Sequence, residues 1–126
     1  MSKQMIKSAK LAPPVGPFSP AVRINGFVYL SGQVGQDPST GKIVEGGVER
    51  ETEQIFAGLG AVLEAAGLTF ADVIRVGVFL TDMASYGAVN AIYSRSFQEP
   101  FPARTVVAVA ALPLGAHVEI DLIAKV

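Results

Sequence analysis

Arg104 is the only charged residue in the stretch Pro100-Phe101-Pro102-Ala103-Arg104-Thr105-Val106-Val107-Ala108-Val109. A guanidinium keeps its charge at physiological pH and presents a planar fork of donors that matches a carboxylate, so a place beside Val106 and Val107 demands a partner. The partner is either a carboxylate of the chain, with Glu119 and Asp121 as candidates, or the carboxylate of a ligand. Prolines on both sides of Phe101 stiffen the entry to this segment and hold the guanidinium in one place. Glu119 is the group that could orient or deprotonate a water, against the plain alternative of a solvated or paired strand residue. Ser31, the backbone around Gly32, and Asn90 are the other polar groups to weigh. Each also has an ordinary reading, Ser31 as a backbone partner at a strand end and Asn90 as a surface amide.

Other chemistries find no support. His117 is the single histidine, it sits beside a turn, and no serine lies in a G-x-S-x-G setting, so a serine triad is disfavoured and His117 reads as structural. One histidine, no cysteine and scattered acids supply no metal-ligand spacing. No glycine cluster has the phosphate-loop or dinucleotide fingerprint. The net charge of −1 provides no field for nucleic acid or anionic lipid. Met1 to Pro14 lacks the apolar core of a signal peptide, and no apolar run approaches the roughly 18 residues of a membrane span. The chain therefore reads as soluble and cytoplasmic. Its 126 residues suit one domain, 1–126, with a real core. Half are hydrophobic and 17% charged, against roughly 25% charged in ordinary soluble domains, which points to self-association.

The elements that must carry these groups follow from periodicity. Asn25-Gly26, between Ala21–Ile24 and Phe27–Leu30, predicts a two-residue hairpin turn. Asp37 to Gly41 reads as a turn and Gly46-Gly47 closes the loop. Ile55, Leu59, Val62, Leu63 and Ala66 recur at helical spacing, so a helix is expected from Glu49 to Ala66 with Gly67 just past its end. Gly58 and Gly60 inside it imply close packing on a sheet. Val73 to Leu80 reads as a central strand buried on both faces. A second helix is predicted from about Met83 to Phe97, with Tyr86, Val89, Tyr93 and Phe97 on one face and Asp82 as N-cap. Strands over Thr105 to Ala111 and Val118 to Ala124 complete the order ββαβαββ, a mixed sheet with both helices on one face. In the last strand, alternation places Val118, Ile120, Leu122 and Ala124 on the helix side, and His117, Glu119 and Asp121 on the other. A mixed face of that kind suits packing against further copies of the chain.

Blocks in a fixed order give the sequence a family resemblance over nearly its whole length. They are Gly16-Pro17-Phe18-Ser19-Pro20-Ala21-Val22, Ser31-Gly32-Gln33, Asp37-Pro38-x-Thr40-Gly41, Ala65-Ala66-Gly67-Leu68, Val78-Phe79-Leu80-x-Asp82-Met83, Val89-Asn90-x-x-Tyr93, Phe101-Pro102-Ala103-Arg104, Leu112-Pro113 and Val118-Glu119-Ile120. Together they resemble the RidA/YjgF family of imine deaminases. The resemblance implies an α/β fold of the chorismate-mutase type, assembled as a homotrimer whose sheets line a barrel and whose sites lie between subunits. It also implies hydrolysis of 2-imino acids, such as 2-aminoacrylate/2-iminopropionate, to 2-keto acids and ammonia without metal or cofactor. Arg104 would then hold the substrate carboxylate and Glu119 would act on water, with Ser31, Gly32 and Asn90 completing the pocket. Two positions depart from the family pattern: Phe18 stands where Tyr is frequent, and Val106 where Cys is frequent. Both make the pocket less polar. The resemblance leaves other readings open, namely a deaminase of another imino acid such as 2-aminomuconate, a non-catalytic binder of small carboxylates, or the ribonuclease and chaperone roles described for relatives.

Overall fold

The structure is a computed structural model that describes residues 2–126. Its strands are β1 (Gln4–Ile6), β2 (Ala21–Ile24), β3 (Phe27–Gln33), β4 (Val73–Leu80), β5 (Ala103–Ala108) and β6 (Val118–Lys125). Two helices, α1 (Gly47–Ala65) and α2 (Tyr86–Tyr93), complete the regular elements that position the site. The strands form one sheet in the order β1-β2-β3-β6-β4-β5, antiparallel throughout except for the parallel β4–β5 pair. This is the expected mixed α/β architecture with one addition. The polar start supplies β1, paired with β2, which hydropathy alone does not mark.

The β2–β3 hairpin forms as Asn25-Gly26 predicts: both residues take positive φ, 54° and 78°, and Ile24 faces Phe27 across the turn. Helix α1 ends in two interlocking bonds, Leu68 N–H to the Leu63 carbonyl and Gly67 N–H to the Glu64 carbonyl, with Gly67 at φ 77°. Only glycine takes that backbone without strain, which is why the periodic run stops there. Arg23 of β2 donates to the next carbonyl, that of Ala66, at 2.6 Å and ties the helix end to the sheet. Gly58 does lie against the sheet, where a Cβ would collide with the Gln33 side chain. Gly60 instead makes room for the Phe70 ring, outside the sheet.

Three expectations need correction. The second helix is shorter than its periodicity suggests. A single 3₁₀ turn, Met83–Ser85, precedes it, with Asp82 accepting from Ala84 N–H, and tight bonds from Arg95 to Ile92 and from Ser96 to Tyr93 end it. Phe97 still reaches the core, folded back onto Tyr93 at 4.6 Å between ring centroids. Strand β5 begins two residues early, so Arg104 lies inside the strand rather than ahead of it. Strand β4 is not buried on both faces: Val76, Val78 and Leu80 are sealed under the helices, while Ile74 and Arg75 are exposed and Phe79 is half-buried. The β3–α1–β4 crossover also skips a place, because β6 inserts between the two strands and pairs with both.

The core lies between the sheet and the two helices. Val28 and Leu30 of β3, Val76 and Val78 of β4, and Val118, Ile120 and Leu122 of β6 meet Ile55, Leu59, Val62 and Leu63 of α1 and Val89 of α2. The opposite face of the sheet carries Tyr29, Phe79, Val107, Arg75 and Asp121, with Tyr29 42% and Val107 39% exposed. No helix among the described residues is long and apolar enough to cross a membrane. Leu59 is fully enclosed, so Leu59→Ala should cost about 2–5 kcal/mol of stability through lost transfer energy and a residual cavity. Urea unfolding should show a lower midpoint with an unchanged slope, and a loss well under 1 kcal/mol would refute this placement of the core.

Candidate functional site

Arg104 and Val106 share the helix-facing side of β5, in register with Val76 and Val78 of β4. There the guanidinium meets α2. One terminal nitrogen donates to Asn90 Oδ1 at 2.7 Å and the other to the Tyr86 hydroxyl at 3.0 Å. Its carbon lies 4.7 Å from the centroid of the Tyr93 ring and 5.6 Å from that of Tyr86. Tyr86, Asn90 and Tyr93 recur at i, i+4 and i+7, so one face of α2 builds the whole cradle. Among the described residues no carboxylate lies within 4.0 Å of Arg104. The intrachain ion pair with Glu119 or Asp121 is therefore absent. The reason is the alternation of β6, which sends both acids to the other face of the sheet. Two of the guanidinium's N–H groups are committed and the rest of its fork is available. Burial raises the Tyr93 hydroxyl pKa, with the Arg104 cation acting in the opposite sense.

Glu119 lies on the open face of β6, opposite Phe79 of β4. It borders a cavity of about 200 Å³ whose walls include Phe18, Ser31, Gly32, Gln33, Gln54, Gly58, Pro113 and Leu114. Ser31 joins the wall together. Its hydroxyl donates to the Ser19 carbonyl at 2.6 Å and its N–H to the Pro20 carbonyl at 2.9 Å, which seats the Phe18 segment on β3. The β3–β6 register shifts between Leu30 and Gln33, and this irregularity brings Gly32 against the Glu119 carboxyl. A Cβ at Gly32 would lie 2.9 Å from Glu119 Cδ and collide with Oε2, so only glycine leaves the carboxyl where it is. Burial raises the Glu119 pKa, and the neighbouring Asp121 raises it further. Asp121 is raised chiefly by burial too, opposed by the Gly77 N–H and by Arg75.

The predicted site residues thus fall into two groups. Arg104, Asn90 and Val106 lie on the helix side of the sheet near its β5 edge, whereas Glu119, Ser31, Gly32 and Phe18 surround the cavity. Within one chain the two groups do not meet. Sequence reasoning assigned Tyr86 and Tyr93 only to the helix core face; their spacing around Asn90 was the signal that they could also hold the arginine. Gln54, Gln33 and Leu114 were missed as cavity walls, because a surface formed by a helix, a bulged strand and a loop has no linear period. His117, which alternation placed beside Glu119 and Asp121, precedes the first residue of β6 and instead bonds the buried Glu51 of α1 on the helix side. No group of three or more metal-ligating side chains occurs among the described residues.

The sequence profile of the family described as Endoribonuclease L-PSP matches residues 9–126. The 2-iminobutanoate/2-iminopropanoate deaminase of Mus musculus is 46% identical over 122 residues, covering 97% of this chain and 90% of the mouse protein. The solved structure of RidA from the Antarctic bacterium Psychrobacter sp. superimposes with a TM-score of 0.93 at 41% identity, covering 98% of this chain and 99% of that one. The structure of E. coli TdcF with bound serine gives a TM-score of 0.90 at 31% identity, covering 98% of each chain.

The raised pKa values of Glu119 and Asp121 favour the fold in acid, and that contribution is lost as pH rises through the raised values. NMR titration of the side-chain carboxyls should place Glu119 above the ordinary glutamate range. Asp121→Asn should lower it without restoring the ordinary value, since burial is the larger cause. A Glu119 titration at or below the ordinary range would contradict the environment described.

Proposed function

This chain belongs to the Endoribonuclease L-PSP (RidA/YjgF) family, and from that premise we propose that it hydrolyses 2-imino acids to 2-keto acids and ammonia. The observation that carries the proposal is the guanidinium of Arg104, held in one orientation by Asn90 and Tyr86 and given no carboxylate by its own chain. A half-buried cation so placed is matched by a small anionic ligand, and a 2-imino acid offers its carboxylate to the free part of the fork. The names of the mouse and human relatives, 2-iminobutanoate/2-iminopropanoate deaminase, agree with this choice of substrate.

Imine hydrolysis asks little of a protein. The iminium carbon is already electrophilic, so orientation and one well-placed base are enough. Arg104 binds the carboxylate and fixes the imine carbon. Glu119 takes a proton from a water as its oxygen bonds to that carbon, giving a carbinolamine. The same carboxyl returns a proton to nitrogen and, as carboxylate again, accepts the hydroxyl proton while the C–N bond breaks and the C=O bond forms; ammonia leaves and carries that proton away as ammonium. The raised pKa of Glu119 suits the first step, because its conjugate base is stronger than that of an ordinary glutamate, and leaves the carboxyl holding the abstracted proton until nitrogen takes it. The apolar walls, with Phe18 in place of a tyrosine and Val106 in place of a cysteine, limit competing hydrogen bonds.

Arg104 and Glu119 occupy different faces of one sheet, so the reaction centre is completed when a second copy brings its Arg104 group to the Glu119 cavity. The partly exposed open face, with Tyr29, Phe79 and Val107, gives the copies an apolar surface to share. The assembly we propose is a homotrimer with one site at each interface.

The test is 2-keto acid release when the protein is added to a pyridoxal-phosphate dehydratase turning over serine, with semicarbazide competing for the imine. Acceleration is expected. Arg104→Ala and Arg104→Lys should each lose about 100-fold or more, lysine failing because it lacks the fork. Gly32→Ala should lose activity by displacing the Glu119 carboxyl. Co-refolding Arg104→Ala with Glu119→Gln should restore about a quarter of wild-type activity, since random mixing leaves one interface in four with both groups. No acceleration by folded protein would overturn the deaminase reading in favour of binding alone. Active wild type without complementation would overturn the shared site.

The acid limb of the rate profile should fall above the ordinary glutamate range, because Glu119 must be ionised to act as base and its pKa is raised. A limb at the ordinary position would remove Glu119 from that role.

A further inference from the structure

Glu51, on the first part of α1, is a buried carboxylate, only 2% exposed. An ionised carboxylate there needs partners for both oxygens. One residue supplies them. The backbone N–H of His117 donates to Oε1 at 2.8 Å, and His117 Nδ1 lies 2.7 Å from Oε2. Donation to a carboxylate requires the imidazole proton on Nδ1.

The helix end that carries Glu51 is itself fixed. A Cβ at Gly35 would come within 2.8 Å of the Glu51 Cα and carbonyl oxygen, so α1 rests directly on the Gly35 backbone. His117 is different, because it belongs to the connection between β5 and β6 and its side chain is 58% exposed. Apart from the Thr81 N–H to its carbonyl, its recorded hydrogen bonds are those to Glu51. On one side of His117 in this connection is Leu114, a cavity wall held at φ 60°, a backbone region that leucine rarely adopts. On the other side is Glu119.

We infer that Glu51, gripping both the backbone and the ring of His117, is a positioning residue that sets the Leu114 wall and the Glu119 carboxyl relative to each other. This rests on the deaminase reading above. A two-point grip on one residue fixes rotation as well as height, which a single surface ion pair does not. Glu119 shares its face with Asp121 of its own strand and Arg75 of β4, and Arg104 lies on the opposite side of the sheet. Neither Glu51 oxygen bonds to any of these groups, so the hydrogen-bonded link from Glu51 toward Glu119 runs through His117.

The experiment compares Glu51→Gln, Glu51→Leu and His117→Ala in the imine assay, reading kcat, KM, the acid limb and the melting temperature. Glu51→Gln keeps an acceptor for the backbone N–H and offers an N–H to Nδ1 of the other tautomer, so it should stay within about threefold of wild type. Glu51→Leu should lower kcat about tenfold or more with KM within about twofold, because Arg104 is untouched, and should shift the acid limb. His117→Ala keeps the backbone bond and should fall between them; it carries the test if Glu51→Leu does not fold. A lower melting temperature with wild-type kcat and acid limb in the folded variants would reduce the pair to a stability feature and overturn the inference. An inactive wild type would overturn the deaminase reading, and the positioning role with it.

Discussion

The structure depends on one strand placed between two halves. β6 pairs with β3 on one side and β4 on the other, so the N-terminal hairpin and the β4–α2–β5 unit share a sheet only through it. Its strict alternation serves both faces. Val118, Ile120, Leu122 and Ala124 are sealed beneath the helices, and the residues between them are forced to the other side. A one-residue slip would expose four core side chains and bury Glu119 and Asp121 in the core, so the hydrophobic demand on one face fixes where the acids stand on the other. The raised pKa values of those acids follow from that placement, since a crowded sheet face removes water from carboxylates that the pleat does not allow to turn away.

The same geometry explains why the arginine and the glutamate are separated within a chain. Arg104 follows the inward register of β5 and would be an unacceptable core residue had α2 not presented Asn90, Tyr86 and the Tyr93 ring. Ring faces and neutral acceptors hold a guanidinium without discharging it, which leaves it attractive to an anion arriving from outside. A carboxylate of the chain in that position would have satisfied the cation and closed the site. The fold therefore separates the guanidinium of Arg104 from the carboxyl of Glu119 and keeps each on a strand, and in the reading proposed here a second copy brings them together.

The connection between β5 and β6 shows how much local backbone depends on distant groups. Leu114 sits in a left-handed conformation on the wall of the cavity that Glu119 borders, and His117, largely open to solvent, lies between the two in the chain. Glu51 holds this connection from α1, far away in the chain. Nothing in the sequence around Glu51 distinguishes it from the other acids of a helix start.

The sequence by itself determined what short-range sterics and periodicity control: the Asn25-Gly26 turn, the stop of α1 at Gly67, the inward and outward residues of β6, and the isolation of Arg104 among apolar neighbours. Ordered blocks such as Phe101-Pro102-Ala103-Arg104 and Val118-Glu119-Ile120 were enough to show the family. Tertiary structure alone decided the end of α2, because the pull of the aromatic cluster on Phe97 competes with helix continuation and only packing settles that contest. It also decided the pairing of β1, the insertion of β6 between β3 and β4, and the choice of Asn90 and Tyr86 over Glu119 as partners of Arg104. Those outcomes depend on which distant segments share a face of the sheet. The local pattern of a strand states which side each residue takes, and carries no record of the neighbour it will meet there.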